Sequence, residues 1–211
     1  MLCALIASPA FARGAENGGA SGQESGGEAV AEFVSRLGGM TRIQADFDQT
    51  VSDPYGRVVD VSSGSLLLAK PNARWETTAP YPQVLVVREK LLQVYDPDLE
   101  QVTQRDISEG WEQVPLALLS GDITNVAQHF AIVRQENEGG LETFVLTPRA
   151  ADAVFVSLAM RIRDGQLNQI TIRDHGSQET VVNLRNYRAG VVVDSQAFIL
   201  DLPPGTDVID G

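Results

Sequence analysis

Alternation of apolar and polar residues with a period of two runs through most of this chain, and it constrains the fold more than any other feature. In the first such segment the odd-numbered residues form one apolar face that also carries an amide: Ile43, Ala45, Phe47, Gln49 and Val51. Because successive side chains of a β-strand point to opposite sides, the segment predicts a strand buried on one face. About a dozen strands are predicted in total, the others at residues 58–70, 73–78, 83–88, 91–96, 101–106, 131–135, 142–147, 154–163, 166–173, 180–187 and 197–201.

Turn signals between these segments favour antiparallel neighbours and a meander. Asp164-Gly165 and Glu138-Gly139-Gly140 are typical of hairpin turns. A twisted sheet of this size has to curl, close or split, so a barrel, a half-barrel and a sandwich all remain open. The predicted fold class is therefore mainly β, with a few helices.

Helical periodicity is confined to short segments. One amphipathic helix is predicted from apolar residues at the i, i+3, i+4 and i+7 positions, which are Val30, Phe33, Val34 and Leu37. Ser25 and Glu28 have the spacing of a capping box, and Gly38-Gly39 should end the helix. An apolar insert at 111–119 and a helical turn at 124–130 are too short to form their own core, so we expect them to lie across the sheet.

The N-terminal segment predicts export. Residues 1–12 are apolar and end in Ala10-Phe11-Ala12, which resembles a signal-peptidase site, although the segment is short and lacks a basic start. Residues 13–27 are rich in Gly and Ser and predict a flexible leader, so the folded domain should cover 28–211. The chain's single cysteine, Cys3, would leave with the signal peptide, and the mature protein would have no disulfide.

Charge and residue usage argue against several classes of function. The formal net charge is −12, which disfavours nucleic acid and anionic membrane surfaces as partners. The two histidines, His129 and His175, stand alone, and no serine lies in a G-x-S-x-G elbow. Neither a catalytic triad nor a metal site is expected. The sequence thus predicts no enzyme activity, no metal and no cofactor.

Two residues on predicted apolar strand faces leave alternatives open. A buried amide such as Gln49 must find a partner or else face a cavity, and a satisfied core glutamine is one reading. Trp75 has Arg74 and Glu76 on the opposite parity, so it either lines a ligand cavity or fills a core.

Several motifs resemble the periplasmic outer-membrane lipoprotein carrier family, LolA. The most specific is YDPDLEQVT at 95–103. The others follow in the family's order: FDQ at 47–49, GSL at 64–66, KPNARW at 70–75, LLSGD at 118–122, FVLTP at 144–148 and FILDLPPGTDVI at 198–209. The resemblance covers nearly all of the mature chain.

This resemblance implies an unclosed antiparallel β-barrel of about eleven strands with an apolar cavity under a helical lid. It also implies a periplasmic chaperone, monomeric and without a covalent step, in the Gram-negative cell envelope. Such a carrier accepts triacylated lipoproteins from an inner-membrane lipoprotein-releasing ABC transporter and delivers them to an outer-membrane lipoprotein receptor. The predicted signal peptide, the acidic charge that disfavours nucleic acid, and the implied apolar cavity fit this lipid-binding, protein-transport role.

Carried over residue by residue, the resemblance also implies the site. The residues expected to contact acyl chains are Val30, Phe33, Leu37, Phe47, Leu66, Leu68, Trp75, Leu116 and Leu119. Lys70 stands where the family usually has an arginine that ties barrel to lid, and lysine offers fewer hydrogen bonds. Lys70 and Gln49 are the residues expected to act in lid closure and cargo release, although Lys70 also fits a solvated strand end.

Departures from the family pattern keep other functions open. Residues 71–75 are one residue short and lack the family's phenylalanine, and Gln93 replaces a usual tryptophan. The leading hypothesis is a lipoprotein carrier, and the alternative is a periplasmic binding protein for another lipid or glycolipid. A fully packed interaction module is a third possibility.

Overall fold

A computed structural model of the protein describes residues 26–108, 115–121, 123, 125–137 and 140–211. Its strands are β1 (Arg42–Ser52), β2 (Val58–Ala69), β3 (Asn72–Ala79), β4 (Gln83–Arg88), β5 (Leu91–Asp96), β6 (Gln101–Asp106), β7 (Phe130–Asn137), β8 (Leu141–Pro148), β9 (Ser157–Arg163), β10 (Gln166–Arg173), β11 (Glu179–Ala189) and β12 (Asp207–Asp210). The helices are α1 (Gly27–Gly39), α2 (Pro115–Ser120), α3 (Val126–His129) and a 3-10 helix at Ser195–Phe198. The signal peptide and most of the leader lie outside the described residues.

All these strands belong to one sheet in the order β12-β6-β5-β4-β3-β2-β1-β11-β10-β9-β8-β7. Neighbours are antiparallel, except that β12 runs parallel to β6. In the part of the chain that the structure describes, the outermost strands β12 and β7 do not pair with each other, so the sheet stays open. The predicted fold class, an unclosed β-sheet with few helices, is confirmed.

The strand pattern predicted from alternation is the pattern that forms. In β1 the odd-numbered residues 43–51 are buried and their neighbours are not. The predicted hairpin at Asp164-Gly165 joins β9 to β10, with φ of 52° and 73°, the positive values that a tight two-residue turn requires. The face that carries Phe47 and Trp75 packs against the helices and is called the inner face below.

The predicted helix is α1, which ends at Gly39 as expected. The capping box is wrong by one residue, because the N-cap is Gly26 and it makes no side-chain hydrogen bond, while Ser25 lies outside the described residues. Phe33 and Leu37 form the buried stripe of α1. Only residues 115–119 of the predicted insert are described, and they belong to α2; the predicted turn at 124–130 corresponds to α3.

Three strand predictions differ from the structure by more than two residues at an end. Residues 154–156 are irregular, and β9 begins at Ser157. The strand predicted at 197–201 is absent, because Phe198 is buried against Val84 and Val86 on the outer face by packing rather than by strand pairing. The edge strand β12 was not predicted, and it forms because the backbone of 207–210 pairs with β6.

Candidate functional site

The apolar residues predicted to contact acyl chains come together in one cluster between the inner face and the helices. Val30 is half-buried and packs against this cluster. The others are buried within it: Phe33, Leu37, Phe47, Leu66, Leu68, Trp75, Leu116 and Leu119. Helices α1 and α2 therefore lie on the inner face as a closed cover, and reaching these side chains requires the cover to move. Their contact with acyl chains stays a prediction.

Phe47 and Trp75 form the aromatic floor of this cluster. Their rings stack with centroids 3.9 Å apart and an interplanar angle of 24°. Gly64 makes the arrangement possible, because a Cβ there would lie 1.9 Å from the Glu76 carbonyl oxygen and 2.8 Å from Phe47 Cε1. Without a side chain at Gly64, β3 and the Phe47 ring approach β2 closely.

Lys70 connects the sheet to the end of α1. Its Nζ donates a hydrogen bond of 2.7 Å to the carbonyl oxygen of Leu37, and its backbone N–H donates to the Thr41 carbonyl oxygen at 3.0 Å. A cation at a helix C-terminus also interacts favourably with the helix dipole. Burial lowers the pKa of Lys70, so closing the cover costs part of the hydration of the ammonium group.

A network of ion pairs, which the sequence did not predict, joins α1 to β7 and β8. On β8, Glu142 forms a two-point contact with Arg36 of α1, with a shortest distance of 2.8 Å, and it also pairs with Arg134 of β7 at 2.8 Å. Arg134 Nε lies 2.9 Å from Glu32 Oε2 of α1. An open surface pocket of about 300 Å³ lies beside the network, lined by Glu32, Ile132 and Arg134 among others. The network therefore links α1 to two strands.

Acid should loosen this network. Burial raises the pKa of Glu142, but the hydrogen bonds from Arg36 and Arg134 outweigh burial, and the pKa is lowered from 4.5. A lowered carboxyl pKa means that the contribution to stability is present above pH 4.5 and is lost as the pH falls through the folded-state pKa. We expect hydrogen-exchange protection of α1 amides to fall below pH 4.5 more than protection of β1 amides. In Glu142→Gln this difference should disappear; equal pH dependence in both proteins would contradict the assignment.

Gln49 is buried, with 3% of its surface exposed. It is not the fully satisfied core glutamine that was one of the two alternatives. Its Nε2 donates to Ser62 Oγ at 3.1 Å, whereas Oε1 has no hydrogen-bond partner among the described residues. Gln49 is thus a half-satisfied amide within the candidate site.

Among the described residues no group of His, Cys, Asp and Glu is arranged to hold a metal ion, and none of the described helices is long and apolar enough to span a membrane. His175 contacts the Ala153 carbonyl oxygen through Nε2 at 2.7 Å.

Comparison with known proteins identifies the family of this chain. The family model described as "Outer membrane lipoprotein carrier protein LolA" matches residues 39–201. The chain belongs to the LolA family. Two of its relatives in the family are named outer-membrane lipoprotein carrier proteins. The one from Pseudomonas paraeruginosa is 35% identical over 86% of this chain and 87% of its own length, and the one from Azotobacter vinelandii is 36% identical over 79% and 81%.

Two solved structures share the fold of this chain. A LolA superfamily protein from Nitrosomonas europaea aligns with a TM-score of 0.50 at 13% identity, over 82% of this chain and 98% of its own. A conserved protein from Thermus thermophilus aligns with a TM-score of 0.52 at 12% identity, over 89% and 100%. At these identities the likeness concerns the fold alone.

Proposed function

We propose that this LolA-family chain is a periplasmic chaperone that binds the acyl chains of lipoproteins. It takes triacylated lipoproteins from an inner-membrane ABC transporter and delivers them to an outer-membrane lipoprotein receptor. The observation that carries the proposal is the buried apolar cluster shared by α1, α2 and the inner face. In a family whose relatives are named lipoprotein carriers, an apolar sheet under a detachable cover supplies the surface that acyl chains need.

The physical task explains this design. Each methylene transferred out of water gains roughly 0.8 kcal/mol, so three exposed acyl chains would make unaided transit through water negligible. The carrier only has to shelter the chains and release them, which involves no covalent step. Residues 1–12, expected to act as a signal peptide, would direct the chain to the periplasm.

The proposal is tested by release of a lipoprotein from inner-membrane vesicles that contain the releasing transporter. The purified mature chain should recover the lipoprotein in the supernatant as an equimolar complex. Mass spectrometry of the bound material then separates lipoprotein from free lipid or glycolipid. Recovery of free lipid alone, with no lipoprotein released, would replace lipoprotein transport by the alternative binding function.

Lys70 should control how often the cover opens. Hydrogen bonds from a charged group typically contribute 1.5–3 kcal/mol, so we expect Lys70→Met to raise the open fraction by about tenfold or more. Lys70→Arg, the matched control, keeps a donor for the Leu37 carbonyl oxygen and should leave the closed form dominant.

Spin labels can measure this change, because the mature chain lacks cysteine. Labels at Ser35→Cys on α1 and Lys90→Cys between β4 and β5 should give one main distance in the parent and in Lys70→Arg. A second, longer distance should grow in Lys70→Met. Identical distance distributions in all three proteins would show that Lys70 does not hold the cover.

A further inference from the structure

Four polar side chains, three buried and one half-buried, lie on neighbouring strands of the inner face. Strand pairing aligns Phe47 of β1 with Gly64 of β2, Gly64 with Thr77 of β3, and Thr77 with Gln83 of β4. Two residues nearer the β1–β2 hairpin, on the same face, Gln49 pairs with Ser62. We call Gln49, Ser62, Thr77 and Gln83 the polar row.

The polar row carries more hydrogen-bonding capacity than the described residues satisfy. Gln49, Thr77 and Gln83 are only 3%, 6% and 8% exposed. Even so, Gln49 Oε1, Thr77 Oγ1 and Gln83 Oε1 have no hydrogen-bond partner among the described residues. Nε1 of the fully buried Trp75, two residues before Thr77 on the same face of β3, also has no hydrogen-bond partner among the described residues. An unpaired buried polar group lowers the stability of a folded protein. Four such groups within one small area therefore point to a ligand rather than to packing.

The polar row also lies at a boundary. Toward the Lys70 end of the same strands the inner face is purely apolar, with Leu66, Leu68 and Leu85 buried. Toward the opposite end the chain becomes exposed at Thr78 and Ala79. The inner face therefore changes from apolar to polar to solvent along the strand direction. An amphiphile with apolar tails and a polar junction has the same order of groups.

We propose that the polar row binds the junction of the cargo, where ester and amide groups join the acyl chains to the lipoprotein's N-terminal cysteine. This inference rests on the proposed function and adds a chemical specificity to it. Ester carbonyl oxygens accept hydrogen bonds from the side-chain amides, the Thr77 hydroxyl and Trp75 Nε1. The amide N–H groups of the cargo donate to Gln49 Oε1 and Gln83 Oε1. The apolar chains then extend toward Leu66 and Leu68.

Two synthetic probes test this assignment. One is a cysteinyl peptide with an N-palmitoyl group and an S-dipalmitoylglyceryl group, and the other has the same chains joined to glycerol by ether bonds, which lack carbonyl oxygens. We expect the parent protein to bind the ester probe about tenfold more tightly, the effect of one or two lost hydrogen bonds. The double variant Thr77→Val and Gln83→Leu leaves only Gln49 and Trp75 as donors, so it should lose most of this preference.

Two controls accompany the double variant: a threonine on the other face of the sheet, and the thermal midpoint of the double variant itself. Thr143 is as buried as Thr77, at 5% exposed, but alternates with the inner-face residues Phe144 and Leu146 and so lies on the outer face of β8. Thr143→Val should keep the tenfold ester preference. The double variant replaces unpaired polar groups by apolar ones of similar size, so its thermal midpoint should not fall.

The outcomes separate the two proposals. If the parent binds both probes equally and tightly, or if the double variant keeps the full tenfold ester preference, the polar row does not bind the junction and acyl-chain carriage still stands. If the parent binds neither probe, acyl-chain carriage fails and this inference fails with it. The assignment is supported if most of the ester preference is lost in the double variant and none of it is lost in Thr143→Val.

Discussion

Leu37→Glu should abolish binding of a triacylated lipopeptide while the sheet remains folded. Leu37 is fully buried between α1 and the inner face, and an isolated carboxylate in that apolar environment costs several kcal/mol. The altered α1 can neither close on the sheet nor offer an apolar surface to acyl chains. The strands hold each other through backbone pairing, so we expect the circular dichroism of the sheet to persist and affinity to fall by about 100-fold or more.

Ser35→Glu is the matched control for this result. Ser35 lies on the exposed side of the same helix, two residues away, and the added charge there remains in solvent. The control should bind the lipopeptide like the parent protein. If Leu37→Glu also binds like the parent, α1 does not form part of the acyl-chain surface.

Gly64→Ala should cause the largest loss of stability of any single-methyl addition we consider. The new Cβ would meet the Glu76 carbonyl oxygen at 1.9 Å and the Phe47 ring at 2.8 Å, so β3 and the aromatic floor both have to shift. Overpacking typically costs 1–3 kcal/mol, and a clash with backbone belongs near the upper end. Urea denaturation should therefore give a free energy of unfolding about 3 kcal/mol lower.

Gly38→Ala serves as the comparison. Nothing lies within 4 Å of a Cβ at Gly38, and the residue is within α1, where alanine is favoured over glycine. This control should be neutral or slightly stabilising. A Gly64→Ala protein with an unchanged free energy of unfolding would show that β2 and β3 are not held as closely as the structure describes.

The polar contacts that hold the cover are few and partly exposed. Besides the burial of Phe33 and Leu37, one hydrogen bond from Lys70 and an ion-pair network fasten α1, and both polar contacts involve charged groups that regain hydration when the cover opens. Cargo that occupies the inner face can therefore shift the population toward the open form at modest cost. The proposed carrier function needs such a balance, because acyl chains have to be bound and later released.

Local sequence patterns predicted most strands because alternation and turn residues act over short distances. The β1 burial pattern and the Asp164-Gly165 turn are examples. The misses depend on partners far away in sequence. Phe198 lies in a segment apolar enough for a strand, yet it packs on the outer face as part of a 3-10 helix, and β12 exists only through pairing with β6.

The site was predictable in part for the same reason. Apolar residues such as Leu66 and Trp75 were found from motifs and from alternation, which fix the face on which a side chain lies. The polar row needs the register between four strands, which alternation alone does not give. Glu142 was missed because its partners Arg36 and Arg134 come from a helix and a neighbouring strand.

Reversible cross-linking of α1 to the sheet tests the central claim, that the cover must open to admit acyl chains. The side chains of Arg36 and Glu142 meet at 2.8 Å, so cysteines at both positions can be joined by a short bifunctional methanethiosulfonate. The cross-linked protein should fail to bind a triacylated lipopeptide, and reduction of the cross-link should restore binding. Unchanged affinity in the cross-linked state would contradict the account, because acyl chains would then bind without any movement of α1.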